Sequence, residues 1–252
     1  MSKIFDALRK AERDARILPV VPEPWLEPEA SRQPRQSRQA RILESEFGYL
    51  TNSIQSCFPS SPLGRVIMVV GCAEGEGCTY VAAQLSRALA ETAGMPVLYM
   101  DGNFHAPGLS NEFKRRPELG LSDVYMNGKP RDLASLMELT DTQQLYVMGT
   151  GKTRVSPAAF FGGEQFGGIL DSVRRVFRFT VIDAAPVMKH PDAIHLAPRV
   201  DGVIVVVRHK RLKREVIRKG IEMIESSNAP ILGAVLNRRK FAIPDLIYKI
   251  VS

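Results

Sequence analysis

The stretch Val66-Ile-Met-Val-Val-Gly-Cys-Ala-Glu-Gly-Glu-Gly-Cys-Thr79 joins an apolar run to a glycine-rich turn and a helix start. The apolar run reads as a strand buried on both faces. The turn has the outline of a phosphate-binding loop, G-x-x-x-x-G-K-[ST], laid over Cys72 to Thr79. Gly77 and Thr79 fit that outline, while Cys72 replaces the first glycine and Cys78 replaces the lysine. The lysine of such a loop reaches the β- and γ-phosphates as a point charge, and a neutral thiol cannot do so. The chain keeps the architecture of an NTPase loop and lacks a central part of its chemistry.

Outward from this loop, further apolar runs occur at Val97–Met100, Leu145–Met148, Phe179–Ile182, Val203–Val207 and Ile231–Leu236. All read as strands buried on both faces. Helical patterns lie between most of them, over Thr79–Ala93, Phe166–Val176 and Leu212–Ser226. Strands alternating with helices predict an α/β fold, a mostly parallel sheet flanked by helices on both faces in the manner of a P-loop NTPase. No internal repeat is visible.

A chain of 252 residues accommodates one such domain, expected over residues 42–252, with a tail in front of it. Residues 1–18 place Ile4, Phe5, Leu8, Ala11, Ala15 and Leu18 on one helical face, with Ser2 as the N-cap. A lone helix of this length is marginal in water, so it is expected to dock on its own domain, a partner or a bilayer surface. Residues 19–41 are rich in Pro, Glu, Gln, Ser and Arg and read as a disordered linker. A further helix is expected from Arg41 to about Phe58, and a short one closes the chain over Pro244–Val251.

No apolar run approaches the ~18 residues that a membrane span requires, and the amphipathic opening is not a secretory signal. The three cysteines, Cys57, Cys72 and Cys78, have no C-x-x-C spacing, which argues against a disulfide framework or a zinc site and fits a reducing compartment. The net charge of +7 is concentrated near Arg32–Arg41, Lys114–Arg116, Arg208–Lys219 and Arg238–Lys240. A solvated basic surface explains this pattern; weak contact with an anionic membrane surface, or contact with an acidic partner, is compatible with it, and nucleic acid is not the expected partner.

In a parallel sheet of this kind ligands bind at the carboxyl ends of the strands. Three strand ends carry candidate residues. The loop ending at Thr79 offers backbone N–H groups and a helix N-terminus, which favour an anion even without the lysine. The Thr79 hydroxyl stands where a magnesium ligand would be. Asp101 follows the second strand, in Pro96-Val-Leu-Tyr-Met-Asp-Gly-Asn-Phe-His-Ala-Pro107, and Asp183 follows Phe179-Thr-Val-Ile182 in the form of a Walker B aspartate. A turn or a helix cap explains one such aspartate. Two beside a glycine-rich loop, in this order, point to descent from a P-loop fold.

These residues are similar to the cytoplasmic kinase domain of bacterial protein-tyrosine kinases from polysaccharide synthesis and export, within the wider group that includes the MinD and ParA ATPases. The resemblance spans roughly Glu44 to Arg239. It is carried by the Asp101 and Asp183 segments with Asp192 downstream, by Val200-Asp-Gly-Val-Ile-Val-Val-Val207 and by Ile231-Leu-Gly-Ala-Val-Leu-Asn-Arg238. It implies that Asn237 lies beside a nucleotide base, that Gly75, Gly77, Cys78 and Thr79 form the cofactor loop, and that Thr79 and Asp183 are the magnesium residues if ATP or ADP still binds. It also implies a transmembrane polysaccharide co-polymerase (Wzz-like) as partner, because the opening Met1–Glu12 resembles that of stand-alone members whose membrane partner is a separate chain. Localisation would then be cytoplasmic, at the inner face of the membrane.

The departures from the family pattern are consistent with one another. The lysine is Cys78, the second acid of the A′ motif is Asn103, and the basic pair that follows is His105-Ala106. The arginines that help assemble a ring are missing from Ser45–Ile54, and only Tyr248 stands where a tyrosine cluster would end the chain. Together these remove the phosphate clamp, an acid, the oligomer contacts and the substrate tail. No confident catalytic residue is left, and Asp101 and Asp183 read as vestigial. The expected function is a catalytically impaired tyrosine-kinase-like protein that acts as a binding or regulatory subunit in exopolysaccharide or capsule export. An active, atypical ATPase or tyrosine autokinase of the same pathway is the alternative, and a ParA- or MinD-like positioning ATPase is a third reading that Ala73 disfavours. For Cys78 there is a sharper option, a reactive thiol at a helix N-terminus with lowered pKa, beside the plainer one of a small neutral replacement.

Overall fold

The computed structural model describes residues 38–58, 61–126, 129–152 and 154–238, with the side chains of 38–44, 93, 126, 129 and 130 outside that description. The expected helix at 1–18, most of the linker at 19–41 and the expected helix at 244–251 lie outside the described residues.

In chain order the elements are α1 (Arg38–Cys57), β1 (Arg65–Gly71), α2 (Cys78–Ala93), β2 (Val97–Asp101), α3 (Leu109–Phe113), β3 (Tyr125–Met126), β4 (Lys129–Pro130), β5 (Met137–Leu139) and β6 (Leu145–Met148). There follow α4 (Pro157–Gly162), α5 (Glu164–Val176), β7 (Phe179–Asp183), α6 (Asp192–Leu196), β8 (Gly202–Arg208), α7 (Arg214–Glu225) and β9 (Ile231–Asn237). Seven strands form one sheet in the order β5-β6-β2-β7-β1-β8-β9, and β3 pairs with β4 in a small separate ribbon. Every neighbour pair in the large sheet is parallel except β5 with β6. All six expected strands are present, each within a residue of its expected ends.

Alternation along the strands divides the core into two layers, because successive side chains leave a strand on opposite faces. Val66, Met68 and Val70 of β1 pack in one layer with Phe166, Ile169, Leu170 and Val173 of α5. Ile67 and Val69 face the other layer, which holds Val81, Leu85 and Leu89 of α2 and Ile54 of α1. Gly94 ends α2 in the left-handed conformation, φ 58°, that glycine tolerates at a helix terminus.

Three sequence expectations change. α1 starts at Arg38, not Arg41, because Arg, Gln and Ala are good helix formers and extend the first turn. β9 was expected to be buried on both faces, but among the described residues it is the sheet edge; Gly233, Ala234 and Leu236 are exposed, Leu236 at 51%. The short elements α3, α4, α6 and the antiparallel edge strand β5 were missed, since three to six residues are too few to show a period.

Candidate functional site at the carboxyl ends of the strands

β1 lies between β7 and β8 inside the sheet, so its carboxyl end opens between the ends of those strands. Residues 72–77 turn there into α2. Gly75 and Gly77 hold φ values of 75° and 93°, a region that side chains disfavour, which is why the turn needs glycine at both. Gly77 is also the N-cap of α2 and provides no side-chain cap. Cys78 does not extend over the turn. A β-carbon added at Gly71 would lie 2.8 Å from its Sγ, so the thiol is folded down against the end of β1.

The expected effect of the helix N-terminus on that thiol is overridden. Burial first, then the nearby Asp183 and Glu76 carboxyls, push Cys78 well above the ordinary thiol range. The raised pKa weighs against a low-pKa nucleophile at this position and favours the small neutral replacement.

Asp101 and Asp183 stand side by side in the register of β2 and β7, and both are fully buried. Their roles differ. Asp101 accepts backbone N–H groups from Asn103 at 3.1 Å on Oδ1 and from Gly108 at 2.8 Å and Leu109 at 2.9 Å on Oδ2. It shapes the loop that follows β2. Asp183 accepts on Oδ2 from the Thr79 hydroxyl at 2.6 Å and from the Tyr99 hydroxyl at 3.3 Å, while its Oδ1 is buried without a hydrogen-bond partner. Burial raises the pKa of both carboxyls, and the charge of Asp101 raises Asp183 further.

The orphaned Oδ1 beside the Thr79 hydroxyl fits a hard cation or a water bound to it. Thr79 and Asp183, the expected magnesium residues, are thus together in one place. Gly108 closes this corner: a β-carbon there would lie 2.3 Å from Thr79 Cγ2, so a larger residue would displace the threonine.

On the other side of the loop, Asn237 at the end of β9 donates from Nδ2 to the Glu76 carbonyl at 2.9 Å. Glu76 is buried, accepts the Arg208 N–H on Oε2 at 2.6 Å and stands 3.3 Å from Arg211 Nε through Oε1. The Arg211 guanidinium also lies against Gly75. On the β7 side, Val187 and Met188 donate N–H groups to the carbonyls of Gly71 and Cys72, and Lys189 pairs with Glu74 at 2.5 Å.

All the expected loop residues, Gly75, Gly77, Cys78, Thr79, and their companions Asp183 and Asn237, therefore converge on one rim. Sequence reasoning missed Tyr99, Glu76 and Gly108. Tyr99 looks like one more core aromatic within an apolar strand, and Glu76 like one more solvated loop acid. Only their partners across the sheet give them a role.

A glycine loop after β1, with Asp183 at the end of the adjoining β7 and Asp101 at the end of β2 beyond it, is the geometry to set beside known proteins. No protein-family model matches the chain. Tyrosine-protein kinase CpsD of Streptococcus agalactiae is 28% identical over 201 residues, covering 80% of this chain and 86% of that protein. Other bacterial tyrosine-protein kinases are similar to this chain as well. The succinoglycan biosynthesis transport protein ExoP of Rhizobium meliloti is 25% identical over 176 residues, 69% of this chain but 22% of that longer protein.

Among solved structures, the kinase domain of Escherichia coli tyrosine kinase ETK superposes with a TM-score of 0.73 at 18% identity, covering 90% of each chain. The septum site-determining protein MinD of Pyrococcus horikoshii, solved with Mg-ADP, gives 0.57 at 22% identity over 75% of this chain and 77% of that one. At these identities the structural matches speak to the fold, a mostly parallel P-loop NTPase sheet. Against the loop pattern G-x-x-x-x-G-K-[ST], this chain departs at Cys72 and Cys78. Among the described residues no helix is long and apolar enough to cross a membrane.

Proposed function

We propose that this tyrosine-kinase homologue is a catalytically impaired member of its group that works as a binding or regulatory subunit in polysaccharide synthesis and export. The observation that carries this reading is Cys78. The residue at the loop's lysine position has no charge, and its thiol is turned down onto Gly71 with its pKa raised. Phosphoryl transfer relies on preorganised positive charge where negative charge builds up, and one such contact is worth about 100- to 1,000-fold in rate. Asp101 is engaged by three backbone N–H groups and Asp183 Oδ2 by two hydroxyls, which leaves Asp183 Oδ1 as the unengaged carboxylate oxygen of the pair.

Should Mg-ATP or Mg-ADP bind, Thr79 and Asp183 would hold the cation and the N-terminus of α2 would face the phosphates. The cation would then supply the charge that Cys78 lacks. Gly75 and Gly77 let the backbone approach closely, and Asn237 braces the loop from β9. Burial raises the pKa of Asp183, and a cation bound there would favour the carboxylate, its proton passing to water.

The partner expected on this reading is a transmembrane polysaccharide co-polymerase, with the chain recruited to the inner membrane face. The ExoP similarity supports the pathway, since that protein is named for succinoglycan biosynthesis and transport. A second reading, a working atypical ATPase, is favoured by the Arg211 guanidinium at Gly75, a cation already placed on the loop.

Calorimetry with Mg-ATP on the full chain, with a steady-state phosphate-release assay, separates the two. The proposal expects turnover at the level of an Asp183→Asn control, whether or not nucleotide binds. Turnover that disappears in both Asp183→Asn and Arg211→Ala would establish the active reading instead.

A further inference from the structure

A second constellation lies beside the phosphate loop, on loops that leave β2 and β7. Within residues 102–108, Ala106 donates its N–H to both the carbonyl and Oδ1 of Asn103, at 3.3 and 3.1 Å, and the resulting turn presents His105. Within residues 184–191, Lys189 and His190 both donate N–H groups to the Pro186 carbonyl, at 3.1 and 3.0 Å, and this turn presents His190. Asp192 then opens α6 with its side chain only 6% exposed.

The three side chains meet. His105 Nε2 is 2.5 Å from Asp192 Oδ2, and the rings of His105 and His190 stack with centroids 3.6 Å apart and an 11° interplanar angle. One nitrogen from each histidine and a carboxylate oxygen of Asp192 all lie within 4.8 Å of one another.

We propose that His105, His190 and Asp192 form a binding site for a divalent transition-metal ion of the zinc class. Two imidazole nitrogens and one carboxylate oxygen suit zinc, nickel, cobalt or copper, whereas magnesium and calcium take sets built of oxygen. The site is thus chemically separate from the Thr79–Asp183 corner, whose donors are all oxygen. Zn–N and Zn–O bonds are about 2.0–2.2 Å long. Imidazole lone pairs lie in the ring plane, so the stacked rings of His105 and His190 would have to turn out of parallel for both to meet one ion.

Three protein ligands leave at least one position for water or an anion, on the exposed side of His105. The bound ion would cross-link the loop after β2 to the loop after β7. Both loops abut the phosphate loop, one through Gly108 against Thr79 and the other through Met188 N–H to the Cys72 carbonyl at 3.2 Å. The stacked rings and the His105–Asp192 bond could instead serve only to pin these two loops together, and that role predicts no metal affinity.

The test is a titration of the metal-free full chain with Zn2+ against a chromophoric chelator, with a 100-fold excess of Mg2+ present. One equivalent of Zn2+ should bind and resist the magnesium, and His105→Ala and His190→Ala should each weaken it about tenfold or more. His195→Ala, an exposed histidine outside the cluster, should leave it unchanged. The 15N resonances of the His105 and His190 rings should shift on Zn2+ addition. Lack of stoichiometric binding overturns the proposal. So does binding that survives in the His105→Ala/His190→Ala double variant, which would place the ion on other residues. Both histidines are partly open to solvent, and circular dichroism of the variants confirms that a lost affinity is not lost folding.

Discussion

The Thr79 hydroxyl donates to Oδ2 of Asp183 across 2.6 Å, tying the first turn of α2 to the end of β7. The bond engages one carboxylate oxygen and leaves the other buried without a partner. A carboxyl in that position favours its neutral form, which makes folding sensitive to pH.

Asp183 has a raised pKa when folded, so the folded chain holds its proton more tightly than the unfolded one. Stability is then highest below the ordinary aspartate value of about 3.9 and falls as pH rises from there through the raised folded value. Asp183→Asn removes this dependence. Its thermal midpoint should exceed that of the parent by several degrees at pH 8, at about 2–4 °C per kcal/mol relieved, and by much less at pH 5. A gap that stays constant across that range would show that Asp183 is not the titrating group. Added Mg2+ should narrow the gap at pH 8 if the cation sits on Asp183.

Cys78→Lys returns a positive charge to the loop. Mg-ATP affinity should rise about tenfold, or ~1.4 kcal/mol, while Cys78→Ser leaves it unchanged. Because the thiol is packed on Gly71, the lysine variant should also lose about 1 kcal/mol of folding stability. Calorimetry and chemical denaturation read the two effects separately, and an unchanged affinity would mean that more than the lysine has been lost.

Gly108→Ala tests the close approach of the loop after β2 to Thr79. The backbone at Gly108 has φ −108°, which any residue adopts, so the effect is purely steric. The added methyl would meet Thr79 Cγ2 at 2.3 Å, and a cost of about 1–3 kcal/mol is expected. Thr79→Ser deletes that methyl. The double variant should recover part of the loss, a coupling of about 0.5–3 kcal/mol in a double-mutant cycle.

Asp201, just before β8, holds the opposite end of the sheet. Its Oδ2 accepts the Val66 N–H at 2.8 Å and Arg174 Nε and Nη2 at 3.2 and 3.0 Å. Asp201→Ala strands an N–H at the start of the central strand and should cost about 2–3 kcal/mol in urea denaturation. Lys189→Ala, which breaks only an exposed pair with Glu74, should stay within about 1 kcal/mol.

Much of this was legible in the sequence. The runs at Val66, Val97, Phe179 and Val203 are long and β-rich enough to be strands, and their alternation with helical periods makes a parallel sheet the economical arrangement. Gly77, Thr79, Asp101 and Asp183 could be picked out because strand ends and glycine turns are local signals. Tyr99, Glu76 and Gly108 could not, because each matters through a partner far along the chain. The edge position of β9 was hidden for the same reason: an apolar run does not say how many neighbours its strand has.

By itself the sequence determined the α/β architecture and the loss of charge at position 78, since both follow from residue type and local period. The tertiary structure alone decided where the Cys78 thiol points, that Asp183 keeps one oxygen unpaired, and that His105, His190 and Asp192 meet. Those facts depend on β2 and β7 lying side by side in register. Strand order arises from packing of both sheet faces at once, and no local stretch of the chain encodes it.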